Sequence, residues 1–285
     1  MIQPPAVADR GSNTTGNLWE SRQRLHGMFL SPSHIDIAFQ PIVSLSDERA
    51  VGVEALGRIQ SAEISVPGWL QGAQAAGIGT ELEVLLVRIA LARLPELAPD
   101  LFMSVNISPE SLVSTAFSAC LAEHDISRVV FELTEHTPFP DAKILARQMT
   151  YIREHGGRIA LDDVGSGYTS IRHVLALAPE YIKLDQTLVE LAEHEARHKA
   201  MVRALSAFAA ETGSQIIAEG VETAQQLEML RELGVGLGQG FLWARPGPLG
   251  GEKGFTQTQA EDAAAVNAID LVEAAPTSSK GRRTL

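Results

Sequence analysis

Four apolar runs in this chain each end on a carboxylate: Val51-Gly52-Val53-Glu54, Val129-Val130-Phe131-Glu132, Ile159-Ala160-Leu161-Asp162-Asp163 and Ile216-Ile217-Ala218-Glu219. A strand buried enough to be that apolar does not tolerate an unpaired charge at its tip, because burying such a group costs several kcal/mol. Four such tips therefore call for shared counter-charges, and the simplest source is a set of cations on which the acids converge. A metal site on the rim of a barrel has this signature.

The rest of the chain supports a barrel. Short β-type runs stand at 35–43, 50–55, 101–107, 128–133, 158–163, 181–184, 215–219 and 238–243, and helical stretches at 69–94, 109–123, 141–155, 170–177, 188–212 and 223–233 separate most of them. Gly156-Gly157 and Gly213 sit where helices stop. Eight strands with intervening helices predict an α/β fold, a (β/α)8 TIM-like barrel. The first two runs are joined only by residues 44–49, too short for a parallel crossover. They are expected to pair antiparallel, which makes the first strand of the barrel irregular. Residues 1–24, rich in Pro, Ser, Asn, Thr and Gly, read as a flexible lead-in, 25–250 as one barrel domain, and 251–285 as a flexible tail.

Composition narrows the partners. A net charge of −12 argues against a surface that coats nucleic-acid polymers, since such surfaces need a basic patch. A small anionic ligand stays compatible, because a bound metal inverts the field of an acidic pocket. The single cysteine, Cys120, excludes an internal disulfide and a cysteine zinc cage, and fits a reducing compartment. The first residues lack the basic lead-in and apolar core of a secretory signal, and no run reaches the ~18 apolar residues of a membrane span. The expected location is the cytoplasm.

Active sites of such barrels lie at the C-terminal strand ends. The residues there are Glu54, Asn106, Glu132, Asp162, Asp163, Lys183, Glu219 and Gln239. Oxygen-only donors select Mg²⁺ or Mn²⁺ over zinc or copper. Adjacent Asp162 and Asp163 can bridge two ions, the arrangement used in two-metal phosphoester hydrolysis.

These residues bring the chain close to a known family. It resembles the EAL-domain cyclic di-GMP phosphodiesterases through Glu54-Ala55-Leu56-Gly57-Arg58, Asn106-Ile107-Ser108-Pro109, Glu132-Leu133-Thr134-Glu135, Asp162-Asp163-Val164-Gly165-Ser166-Gly167-Tyr168, Lys183-Leu184-Asp185, Glu219-Gly220-Val221-Glu222-Thr223 and Gly238-Gln239-Gly240-Phe241-Leu242. The resemblance implies hydrolysis of one phosphodiester of cyclic di-GMP to linear pGpG, with two Mg²⁺ or Mn²⁺ ions. Glu54, Asn106, Glu132 and Asp162 would hold the first ion, and Asp162 and Asp163 the second. Lys183 would position or help deprotonate the attacking water, and Glu219 would complete the second ion's surroundings or act as base. Glu135 would brace the loop 164–170, where the family also places a homodimer contact. Gln40, Leu56, Arg58, Asp185, Glu222 and Gln239 would face substrate, with Arg58 as the phosphate clamp and Gln40 near a guanine. Gly57 and Val164 depart from the residues most relatives carry, and neither departure removes a ligand. The alternative is a receptor that binds cyclic di-GMP, or a protein partner, without turnover; receptors of the family typically lose ligands, and here all are present.

Two other motifs carry less. His194-Glu195-Ala196-Arg197-His198 has the H-E-x-x-H spacing of a zinc peptidase helix but lies in a charged stretch that reads as a solvated face. The glycine-rich run 234–240 matches no phosphate-binding pattern and is better explained by close backbone approach at the closing strand.

Overall fold

The computed structural model describes residues 35–59, 66–133, 141–165 and 171–249. Eight strands close into a barrel in sequence order: β1 (Ile35–Ser44), β2 (Ala50–Ile59), β3 (Phe102–Ile107), β4 (Val129–Leu133), β5 (Arg158–Val164), β6 (Tyr181–Leu184), β7 (Gln215–Ala218) and β8 (Leu237–Gly238). Strand β1 runs antiparallel to both β2 and β8, and the remaining neighbours are parallel. The tight turn between β1 and β2 decides this: Ser44 N donates to Arg49 O at 2.9 Å, which leaves no chain for a crossover.

Two apolar clusters separate the faces of the sheet. Ile42, Phe102, Val130, Ala160, Tyr181, Ile217 and Leu237, one from each of seven strands, pack together as the floor inside the barrel. Their neighbours along the strands, among them Val53, Met103, Phe131, Ile159, Ile182 and Ile216, point outward into the core shared with the helices. Alternation along a strand fixes what comes next: two residues beyond each floor residue is another inward position. Those positions are Gln40 on the antiparallel β1, and Ser104, Glu132, Asp162, Lys183, Glu219 and Gln239 on the others. On β2, Gly52 lies against the Phe102 ring, so its inward successor is Glu54. The barrel is thus apolar at its floor and polar one tier higher, at the carboxyl ends of its parallel strands.

The helices differ from expectation in their breaks. The stretch 69–94 is two helices, α1 (Val66–Ala75) and α2 (Gly79–Ala92), divided at Gly77 with φ 70°. The stretch 109–123 is α3 (Pro109–Leu112) and α4 (Thr115–Ala122), with Ser114 capping the second. After α5 (Ala142–Glu154) and α6 (Ile171–Leu177), the stretch 188–212 divides into α7 (Gln186–His194) and α8 (Ala196–Thr212) at Glu195, whose φ and ψ of −120° and 119° are extended. No Gly or Pro marks that break. It removes the H-E-x-x-H reading, because His194 and His198 no longer share one helix. The last helix is α9 (Ala224–Glu232).

The closing strand is shorter than expected, two residues rather than 238–243. Beyond it the chain turns in against the β7 loop: Gln239 N donates to Ala218 O at 2.8 Å and Val221 N to Gln239 O at 3.0 Å. A Cβ on Gly240 would lie 2.0 Å from Val221 O, so only glycine permits this approach. Gly240→Ala is expected to cost about 1–3 kcal/mol through forced backbone displacement. Chemical denaturation checks it, and an unchanged midpoint would mean that the two segments part freely.

Candidate metal and catalytic centre

Lys183 is the hub of the polar tier. Its side chain is 1% exposed, and its Nζ lies 2.7 Å from Glu219 Oε1, 2.8 Å from Glu132 Oε2, 3.2 Å from Asp162 Oδ1 and 3.6 Å from Glu54 Oε2. The four apolar runs that end on acids thus deliver their carboxylates to one ammonium. Burial works against the charge on Lys183, but Asp162, Glu132, Glu219 and Glu54 together hold its pKa well above the ordinary lysine value.

The acids respond unequally. Burial pushes the Glu132 carboxyl well up, the Glu54 and Asp162 charges add to this, and Lys183 opposes it. Burial likewise lifts Glu219 to about 7, with Lys183 opposing and Asp162 and Glu54 reinforcing. Glu54 goes the other way: burial is outweighed by Lys183 and by hydrogen bonds from Gln239 and Asn106, and its pKa falls. Asn106 Nδ2 donates to Glu54 Oε1 at 2.8 Å, and Gln239 Nε2 donates to Glu54 Oε2 at 2.6 Å and to Gln40 Oε1 at 3.0 Å. Gln40 in turn donates through Nε2 to Ala244 O at 3.0 Å. One amide chain therefore joins β1, β2, β3 and the β8 loop around Glu54.

Strand β5 contributes its acids through an irregularity. Leu161 pairs with Ile182 and Val164 with Leu184, so three steps on β5 face two on β6. The additional residue is a bulge at Asp162-Asp163, and Asp163 takes φ 57°. In a regular strand adjacent residues point to opposite faces. Here one oxygen each of Asp162, Asp163 and Glu219 lie within 4.8 Å of one another. Strained left-handed backbone on a non-glycine residue costs of order 1 kcal/mol or more and is commonly held at functional sites.

The donor set fits divalent cations. Glu132 Oε1 is buried and accepts no hydrogen bond, and Asp162 Oδ1, although close to Lys183, makes none either. Lone pairs of this kind, beside five carboxylates and one lysine, suit a hard cation.

Other expected residues stand apart from this cluster. Leu56 and Arg58 follow Glu54 on the same face of β2; Leu56 is partly buried, and Arg58 is exposed with its Nη1 donating to Gly57 O. Asp185 caps α7, accepting from Thr187 N at 3.0 Å. Glu222 is exposed, and its backbone N donates to Gln226 Oε1. Glu135 lies outside the described residues. Ser104, absent from the motifs, is fully buried beside this tier with its hydroxyl unpartnered, and counting two positions on from Phe102 finds it.

Comparison with known proteins gives a consistent neighbourhood. The family model described as the EAL domain matches residues 22–246. The Escherichia coli protein named "Probable cyclic di-GMP phosphodiesterase PdeB" is 30% identical over 226 residues, which are 75% of this chain and 43% of that protein. The Pseudomonas aeruginosa cyclic di-GMP phosphodiesterase RocR is 29% identical over 231 residues, 77% of this chain and 59% of its own. The chain thus spans less than two thirds of the length of these relatives. Among solved structures, a PaMucR phosphodiesterase in complex with c-di-GMP is 28% identical with a TM-score of 0.68, covering 79% of this chain and 98% of that one. No helix among the described residues is long and apolar enough to cross a membrane.

Proposed function

The chain belongs to the EAL domain family, and on that premise we propose that it hydrolyses one phosphodiester of cyclic di-GMP to linear pGpG. The observation that carries this reading is the convergence of Glu54, Glu132, Asp162 and Glu219 on Lys183, with Asp163 turned to the same rim by the β5 bulge. A site that merely captured a ligand would have little use for so concentrated a negative charge. Two Mg²⁺ or Mn²⁺ ions fit: Glu54, Asn106, Glu132 and Asp162 would hold one, and Asp162, Asp163 and Glu219 the other. Such ions supply Lewis acidity toward the phosphodiester and neutralise charge that builds on its oxygens.

The protein's own groups divide the remaining work. A water oxygen bonds to phosphorus, the bond from phosphorus to the departing ribose oxygen breaks, and that oxygen takes up a proton. The water must lose a proton, and Glu219, 2.7 Å from Lys183 Nζ, is the carboxylate assigned to accept it, completing the second ion's surroundings through that water. Lys183, with its Nζ among these carboxylates, is assigned to orienting the water and its neighbours. Gln239, itself held by Gln40, orients Glu54, and at the mouth of the barrel Gln40, Gln239, Leu56, Arg58, Asp185 and Glu222 would meet substrate. Arg58, exposed on the rim, is assigned to clamp phosphate with a planar guanidinium. The barrel domain is assigned to 25–250, Glu135 to bracing the loop after β5, the homodimer contact to that same loop, and the protein to the cytoplasm.

Incubation of purified protein with cyclic di-GMP and Mn²⁺ or Mg²⁺, with and without EDTA, followed by chromatography, tests the reading. EDTA-sensitive pGpG is the expected product. Intact substrate that nevertheless binds would make the protein a receptor.

The carboxyl pKa values add a thermal prediction. Glu132 and Glu219 have folded values above their unfolded ones. The stability linked to them is therefore fully present below the ordinary carboxylate value and is lost as pH rises, for Glu219 through about 7. Divalent ions should reverse that loss. Mn²⁺ is expected to raise the melting temperature more at about pH 8 than at about pH 5.5, because protons compete for the same oxygens. Equal shifts at both pH values would contradict the assignment of these acids to the ions.

A further inference from the structure

Asn106 ends the inward face of β3, two residues before Ser108, whose hydroxyl caps α3 by accepting from Ser111 N at 3.2 Å. A turn of this kind is usually closed from within: a Glu or Gln at the third helical position accepts from the cap residue's own N–H. The chain uses that device at α9, where Gln226 Oε1 accepts from Thr223 N at 3.1 Å. At α3 the third position is Ser111, which cannot serve, and its hydroxyl instead donates to Thr80 Oγ1 at 3.3 Å. The Ser108 N–H is taken by Glu83 Oε2, 2.8 Å away, from α2 in the outer ring. Ser108 is 5% exposed, so its N–H would otherwise be buried without an acceptor.

We infer that Glu83 is a positioning residue for Asn106: it supplies from another helix the missing half of the α3 capping box and so holds the end of β3 where Asn106 meets Glu54. The contact from Asn106 Nδ2 to Glu54 Oε1 at 2.8 Å depends on that end being fixed. The inference rests on the reading of Asn106 as an ion ligand given above. Glu83 touches none of the reacting groups and acts through the backbone of the Asn106–Ser108 turn.

Mn²⁺ binding to the full chain, followed by calorimetry or by electron paramagnetic resonance of the free ion, tests it without recourse to turnover. Glu83→Ala is expected to weaken Mn²⁺ about tenfold, the lower end for residues that orient a ligand. Glu83→Gln keeps an acceptor oxygen and should restore most of the affinity. Asn106→Ala should weaken binding at least as much, and the Glu83→Ala/Asn106→Ala double variant no further, since both act at one point. Unchanged affinity in Glu83→Ala, with Asn106→Ala weakened, overturns the role of Glu83 and leaves the site intact. A lowered melting temperature at unchanged affinity does the same, as do additive losses in the double variant. Unchanged affinity in Asn106→Ala removes Asn106 from the ion shell and the inference with it. If Glu83→Ala does not fold, Glu83→Asp withdraws the acceptor by one methylene, and full affinity in that variant is equally fatal.

Discussion

Lys183→Met is expected to lower the unfolding free energy of the ion-free protein by about 3–5 kcal/mol near pH 8, the usual range when one partner of a buried ion pair is removed. The side chain it replaces is 1% exposed and has four carboxylates within 3.6 Å. Without the ammonium, those acids keep their burial and mutual repulsion and lose their shared counter-charge. The sign follows from the direction of each shift. Lys183 has a folded value above its unfolded one, so its contribution is fully present below the ordinary lysine value, and pH 8 lies in that window. Glu132 and Glu219 are already raised with Lys183 present and would rise further without it, so they become neutral as pH falls. The variant should therefore recover much of its stability toward about pH 5, and also on addition of Mn²⁺ near neutrality. Denaturation at both pH values, with and without the ion, checks this. A loss of the same size at pH 5 would show that packing, not charge, is what Lys183 provides.

Glu54→Ala should have a different profile, a large loss of turnover with a smaller loss of stability. Glu54 accepts from Asn106 and Gln239 and so ties together the amide chain around the mouth of the barrel. Its removal takes away a proposed ion ligand and releases both amides, and turnover is expected to drop by more than about 100-fold, the upper end for changes one layer further out. Stability should fall less than in Lys183→Met: the lost acceptor for Asn106 and Gln239 costs about 1–3 kcal/mol, partly offset because deleting one acid relieves its repulsion on Glu132. Chromatographic rates paired with thermal melts separate the two effects. A folded variant that still forms pGpG would remove Glu54 from the ion shell; a variant that fails to fold would mean that the amide chain is structural first.

The two variants probe parts of the site that differ in how they can be read. The inward acids Glu54, Glu132, Asp162 and Glu219 are visible in one dimension, because a residue's face depends only on its parity along a strand, although β2 runs on past Glu54 to Ile59. The floor residues Phe102, Val130, Ala160, Tyr181, Ile217 and Leu237 and the polar residues two positions on obey the same count, and Ser104 was within its reach. The antiparallel β1 was equally legible, since six residues between two apolar runs cannot make a crossover. Glu195 was not: no Gly or Pro stands beside it, yet its backbone is extended between α7 and α8. Asp185 had a local signal as a helix cap, and that is the contact it makes.

By itself, then, the sequence determined the α/β barrel, the rim on which the functional side chains stand, and the oxygen-rich chemistry they offer, because these follow from periodicity and residue type. The tertiary structure alone decided that Lys183 sits among four carboxylates, that a bulge turns Asp162 and Asp163 to one side, and that Glu83 reaches across to Ser108. Each of these depends on the register of one strand against another or on a contact between distant elements, and neither is encoded in the local pattern of the chain.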